Sequence, residues 1–194
     1  MTTPQDVLDF WLNEVGENGW YQRSDALDQT IRDRFMPVWA EIEARMQDWP
    51  EDADSALAAL IVTDQFSRNM FRDDPRAFAT DALARRIADQ AIAAGYDMAT
   101  PEPQRQFFYM PFEHSEDLDD QNRAVALFAE RMPGENLRHA ELHRDTIATF
   151  GRFPWRNAAL GRDNTADEQR LLDAGGYGAL VSGKLSLADF GEIV

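Results

Sequence analysis

Apolar residues recur along this chain at intervals of three and four, and alternation with period two is rare, so the pattern predicts helices and almost no strands. Thr3 before Pro4, with Asp6 in the first turn, reads as a helix start that gathers Val7, Leu8 and Trp11 on one face and stops before Gly16. Behind a Ser24 cap, Leu27, Ile31, Phe35, Val38, Ile42 and Met46 keep helical spacing, and Pro37 predicts a kink or a break within that run. Asp52 or Asp54 opens ADSALAALIVTDQF, which is apolar nearly all round and is therefore expected at the centre of the fold. Asp74–Pro75 starts a further helix with Leu83, Ala84, Ile87, Ala88 and Ala91 inward, ended by Gly95.

The rest of the chain continues in this way. A short helix is predicted over 103–109. Ser115 caps the next, which Pro133–Gly134 breaks, and Asn136 caps one that reaches Phe150. Thr165 and Glu168 form a capping box for a last helix ending at Gly175–Gly176. Between these, GRFPWRNAALGR (151–162) is irregular and long enough to invite a functional reading. About eight helices with short connections predict an all-α fold of antiparallel helix pairs in an α–α superhelix. One helical domain is expected over 1–175, followed by a tail over 176–194 that docks on the body or stays loose.

Composition narrows the function more than the fold. A chain of 194 residues, 44% hydrophobic, is long enough to bury a sizeable core. The absence of cysteine removes disulfides, a thiol nucleophile and cysteine-ligated metal centres. A net charge of -16 argues against nucleic acid and against an anionic membrane surface as partners. The longest apolar run, Ala56 to Val62, is far below the ~20 residues of a membrane span, and MTTPQDVLDF lacks the features of a signal peptide, so a cytoplasmic location is expected. Lys184 is the sole lysine. Nearly all positive charge is therefore guanidinium, the group suited to bidentate recognition of carboxylate or phosphate.

Polar side chains fall at inward positions in three segments. Asp64 follows Leu60 and Ile61 on the most apolar helix, with Arg68 four residues later and Asn69 and Arg72 beyond. His114 stands between Phe112 and the next helix, flanked by Glu113 and Glu116, and Gln121 shares the stripe of Leu118, Val125 and Phe128. His143 shares a face with Ala140, Ile147 and Phe150. His139 is one turn earlier, but HAELH lacks the glutamate position of the zinc-protease motif, so neither a metal nor another cofactor is expected. Arg152, Arg156, Asn157 and Arg162 lie among Phe153, Pro154 and Trp155. The plain structural reading pairs these arginines with the protein's own acids, Asp64 or Glu116 among them.

The segments VLDFW (7–11), DQFSRNMFR (64–72), RAFATDALA (76–84), FFYMPFEHSEDLDDQ (107–121) and HRDTIATFGRFPWRNAALGR (143–162) resemble the bacterial domain-of-unknown-function family 924 over nearly the whole chain. The resemblance implies a tetratricopeptide-like helical fold and no established reaction, substrate or cofactor. Ser67 stands where that family usually has proline, a change expected to relax only a loop, and Trp155 where it often has histidine.

Three functions fit these residues. The first is a groove lined by Arg68, Asn69, Arg72, His114, Gln121, His143, Arg152, Arg156 and Asn157 that binds an anionic small molecule or a peptide carboxylate. The second is a hydrolase-like enzyme with His114 or His143 as general base and Asp64 or Glu116 as its orienting carboxylate. The third is a helical scaffold for protein–protein interaction. The oligomeric state is left open.

Overall fold

In a computed structural model, residues 2–42 and 51–191 are described, so the expected role of Met46 falls outside them. They are all helical, with no strand, and form two compact units, Met1–Pro111 and Phe112–Val194. No helix among the described residues is long and apolar enough to cross a membrane.

The first unit opens with α1 (4–15). Its first turn is capped as its sequence predicts: the Thr3 hydroxyl accepts from the Asp6 N–H and the Asp6 carboxylate accepts from the Thr3 N–H. From Asp9–Val15 the helix widens to π geometry before Gly16 ends it. The single-turn α2 (Glu17–Trp20) leads to α3 (Asp25–Ala40), which runs through Pro37 without breaking. The expected break comes after Ala40 instead. Pro37 sits in the last turn, where the helix beyond it is short, and Ile31, Phe35 and Val38 hold the turn in the core.

Helix α4 (53–70), capped by Asp52 with Ser55, has every residue from Ala56 to Ser67 buried, as its all-round apolar pattern requires. Its middle, Ile61–Phe66, is π-helical, and Phe66 there meets the rings of Phe10, Trp11 and Phe35 at 5.9, 5.4 and 4.7 Å between centroids. Ser67 is helical rather than in a loop: its hydroxyl accepts from Trp39 Nε1 at 2.8 Å and lies 2.7 Å from the Thr80 hydroxyl. The serine thus ties α3, α4 and the start of the next helix, a bonding role that the loop reading missed.

Asp74–Pro75 starts only a 3₁₀ turn, Pro75–Phe78. The helix proper is α5 (Asp81–Ala93), with Leu83, Ala84, Ile87, Ala88 and Ala91 buried as predicted and Gly95 left-handed just beyond it. The one-turn α6 (Tyr96–Ala99) and a 3₁₀ segment, Gln104–Phe108, complete this unit, and α7 (Met110–Glu113) crosses into the second.

In the second unit α8 (Leu118–Arg131) is capped by Asp117, which accepts from the Asp119 and Asp120 N–H groups; Ser115 lies two residues too early. Three residues later α9 (Glu135–Phe150) starts from Gly134, not from an Asn136 cap, and packs on α8. The segment 151–162 holds one 3₁₀ turn, Pro154–Arg156, between left-handed Gly151 and Gly161. The capping box of Thr165 and Glu168 starts α10 (Ala166–Ala174) as predicted.

Gly175 and Gly176 end α10 by returning their N–H groups to the Leu172 and Leu171 carbonyls, and both have positive φ. They aim the chain into α11 (Tyr177–Val181), and a 3₁₀ turn follows over Leu187–Phe190. The described part of the expected tail is therefore packed, not loose: Leu180 and Leu187 form a core with Leu171, against which Leu142, Phe150, Trp155, Leu185 and Phe190 pack. Gly176 has φ 61° and ψ -135°, which a side chain at Cβ disfavours strongly, although an added Cβ would meet only Leu172 Cδ2, at an ordinary contact distance of 3.8 Å. Gly176→Ala should destabilise the fold by about 1–3 kcal/mol through backbone strain alone, measured as a lowered urea midpoint.

Eleven helices are thus present among the described residues. The excess over about eight consists of single turns too short to show a period.

Candidate functional site

The second unit brings all three histidines of the chain near one buried carboxylate. Helix α9 places His139 and His143 one turn apart. The turn between α7 and α8 carries Glu113 and His114, the 151–162 segment carries Phe153 and Trp155, and α11 carries Tyr177.

Glu113 is only 5% exposed, and its Oε1 lies 2.9 Å from His143 Nδ1. The same ring nitrogen is 2.9 Å from the His139 carbonyl oxygen. Two acceptors facing Nδ1 assign it the proton, so Nε2 is the basic nitrogen of the neutral ring. Burial by itself would push the Glu113 carboxyl up. The charge and hydrogen bond of His143, with His114 and His139 further away, outweigh burial and hold it below the ordinary carboxylate range.

Aromatic rings surround His143. Its centroid is 4.6 Å from Tyr177, 5.4 Å from Phe153, 6.2 Å from Trp155 and 6.3 Å from His114. Phe153 stacks on Trp155 at 5.0 Å, and the Arg156 guanidinium lies 4.7 Å from the Phe153 centroid. The Tyr177 hydroxyl is 2.6 Å from His139 Nδ1, and burial, reinforced by the Glu113 charge, pushes the phenol well above its usual range.

The turn that presents Glu113 and His114 is bound at successive carbonyls. Fully buried Gln121 donates from Nε2 to the carbonyls of Glu113 and Ser115, both at 2.6 Å, and Arg156 donates to that of His114 at 2.8 Å. Glu116 accepts from Arg162 at 2.7 Å and from the Phe153 N–H at 2.9 Å, which joins the turn to the 151–162 segment. The inward position assigned to Gln121 is explained by this clamp. Glu116 is an anchor, not the carboxylate on a histidine.

The arginines named from the sequence are engaged within their own units. In the first, Arg68 bridges Asp64 and Asp81, each at 3.1 Å, while Arg72 and Asn69 both donate to the buried Asp28 carboxylate. Asp64 also accepts from Gln65 at 2.6 Å. In the second, Arg152 grips both oxygens of Glu168 at 2.6 and 2.8 Å, and Asn157 donates to Asn164 at 2.8 Å.

The hydrogen bonds from Arg152 hold the Glu168 carboxyl at about 2, against an ordinary 4.5. A folded-state pKa below the unfolded one stabilises above the unfolded value, and that stabilisation is lost as pH falls from 4.5 toward about 2. Glu168→Gln should remove this part of the acid transition, seen as a flatter dependence of the urea midpoint on pH over that window.

Glu113, His139 and Tyr177 are the members that the sequence did not mark as a group. Glu113 stood out only as a neighbour of His114, and Tyr177 lies in a stretch without periodicity. Among the described residues no three His, Asp or Glu side chains are arranged to hold a metal ion.

The profile of a family described as a bacterial protein of unknown function, DUF924, matches residues 7–176, and the chain belongs to that family. A solved structure of a protein of unknown function from Agrobacterium tumefaciens is 43% identical, with a TM-score of 0.84, over 89% of this chain and 97% of that one. No curated protein matches.

Proposed function

We propose that the second unit is a hydrolase-like catalytic site in which His143 is the general base and Glu113 its orienting carboxylate. The observation that carries this reading is the 2.9 Å contact of buried Glu113 with His143 Nδ1, which leaves Nε2 to take a proton. A water molecule on Nε2 would lose its proton as its oxygen adds to an acyl carbon, and the ionised Glu113 would stabilise the imidazolium so formed. Glu113 takes the role expected of Asp64 or Glu116, and His143 is chosen as the base on its 2.9 Å contact with that buried carboxylate.

The engagement of Arg68, Arg72 and Arg152 by acidic side chains gives less support to an arginine-lined groove for an anionic ligand. A buried, ionised Glu113 likewise favours uncharged substrates over anionic ones. The test is hydrolysis of p-nitrophenyl acetate, p-nitrophenyl butyrate and the matching ethyl esters by the wild type, His143→Ala and Glu113→Gln. Turnover that is lost with His143 supports the reading. Turnover equal in wild type and His143→Ala, or absent from both, overturns it.

A further inference from the structure

Tyr177 has the features of an acid working opposite the base. Its ring lies against His143, with centroids 4.6 Å apart and planes inclined by 45°. Its hydroxyl is fixed at 2.6 Å from His139 Nδ1, and His139 is one helical turn from His143. The two histidines thus hold two different groups: His143 is held by a carboxylate, and His139 holds a phenol. Glu135 lies 3.7 Å from the other nitrogen of His139. The Gly175–Gly176 turn brings the phenol to this place, and its first helical residue beyond the turn is Tyr177 itself.

We infer that Tyr177 is the proton donor to the leaving group in the reaction whose base is His143, and that His139 is the positioning residue that aims its hydroxyl. This rests on the hydrolytic reading above and names the second half of the same site. With a proton on each ring nitrogen of His139, Nε2 toward Glu135 and Nδ1 toward the phenolic oxygen, that ring donates to the phenol, and the phenolic hydrogen is left for the substrate. Burial and the Glu113 charge keep the phenol protonated until a stronger base, a departing alkoxide, presents itself.

The step balances. The water oxygen bonds to the acyl carbon as its proton passes to His143 Nε2 and the carbonyl π pair moves onto the carbonyl oxygen, to return when the tetrahedral centre collapses. The bond from that carbon to the leaving oxygen then breaks, its electron pair stays on the oxygen, and the oxygen takes the Tyr177 proton. The imidazolium proton returns to the phenolate through solvent, and the products are the acid and the alcohol. Tyr177 lies one residue beyond the family match, so the match itself says nothing for or against it.

A leaving group that departs readily without a proton separates this role from mere packing. Tyr177→Phe keeps the ring on His143 and Trp155 and removes only the hydroxyl. Its loss of kcat on an ethyl ester should exceed its loss on the p-nitrophenyl ester of the same acid by about 100-fold, the usual scale for one positioned acid. His139→Gln, the second variant, should show the same contrast at about 10-fold. His143→Ala should depress both esters alike. Equal losses on the two esters, or no loss, in both Tyr177→Phe and His139→Gln overturn the donor role while leaving His143 as base. A wild type without turnover, or turnover that survives His143→Ala, overturns the base and the donor together.

Discussion

His143→Ala is expected to lower kcat/KM on uncharged carboxylic esters by about 10²–10⁴-fold, the range that positioned general bases supply. The imidazole is poised rather than merely present, because its Nδ1 faces Glu113 and the His139 carbonyl, each at 2.9 Å. Glu113→Gln should cost less, roughly 10-fold, since the His139 carbonyl still fixes the tautomer and only the charge opposite the imidazolium is lost. The same pair also contributes to folding. Removing His143 leaves a buried carboxylate without its main partner, which destabilises by about 3 kcal/mol, whereas Glu113→Gln combined with His143→Ala should recover much of that loss. Urea midpoints of the two single variants and the double variant measure the coupling. Activity should be read below the unfolding transition, so that a fall in turnover is not a fall in folded protein. A coupling near zero would separate Glu113 from His143 and undo the pairing on which both effects depend.

Arg72→Ala should destabilise the protein by about 3 kcal/mol, the lower end of what breaking a buried pair costs. Asp28 is 2% exposed, and Arg72 meets it through Nε and Nη2 while Asn69 donates at 2.8 Å. With the guanidinium gone, Asp28 keeps the Asn69 amide but no balancing charge. The lower end is chosen because the Arg72 side chain is 30% exposed, so its removal admits water to Asp28. Asp28→Asn with Arg72→Met should be far milder than Arg72→Ala alone, because no charge is then stranded. The urea midpoints of the single and double variants check this, and an Arg72→Ala midpoint within error of wild type would show that Asp28 is solvated after all.

Much of the local structure was legible in the sequence. Spacing alone placed Leu83, Ala84, Ile87, Ala88 and Ala91 on the buried face of α5, made α4 central, and identified the Thr3 cap and the Thr165–Glu168 capping box. These features depend on residues three or four apart, and the backbone geometry of a helix brings such residues together without help from the rest of the fold. The same locality made the i, i+4 pair of Asp64 and Arg68 readable, and it holds at 3.1 Å. Where two local signals competed, the structure chose: Asp117 over Ser115 as a cap, a 3₁₀ turn over a helix at Pro75, and continuation over a break at Pro37. Each choice depends on how the neighbouring turn packs, which a spacing pattern does not contain.

The candidate site was legible only in part. His114, Gln121, His143 and Asn157 could be singled out as polar residues in apolar places, but their partners could not. Glu113 reaches His143 across 30 residues of chain, Tyr177 reaches His139 across 38, and Arg152 is satisfied by Glu168 across 16. Which acid takes which base at such separations is decided by how α8, α9 and the 151–162 segment pack. The sequence by itself determined the longer helices, most of their buried faces and the family. Only the tertiary structure decided that Asp81 joins Asp64 on Arg68, that Asp28 takes Arg72 and Glu168 takes Arg152, and that His143 stands against a buried carboxylate with Nε2 as its basic nitrogen. Helical periodicity is local and is written in residues a turn apart, whereas the partner of a buried charge is chosen by contacts distant in sequence.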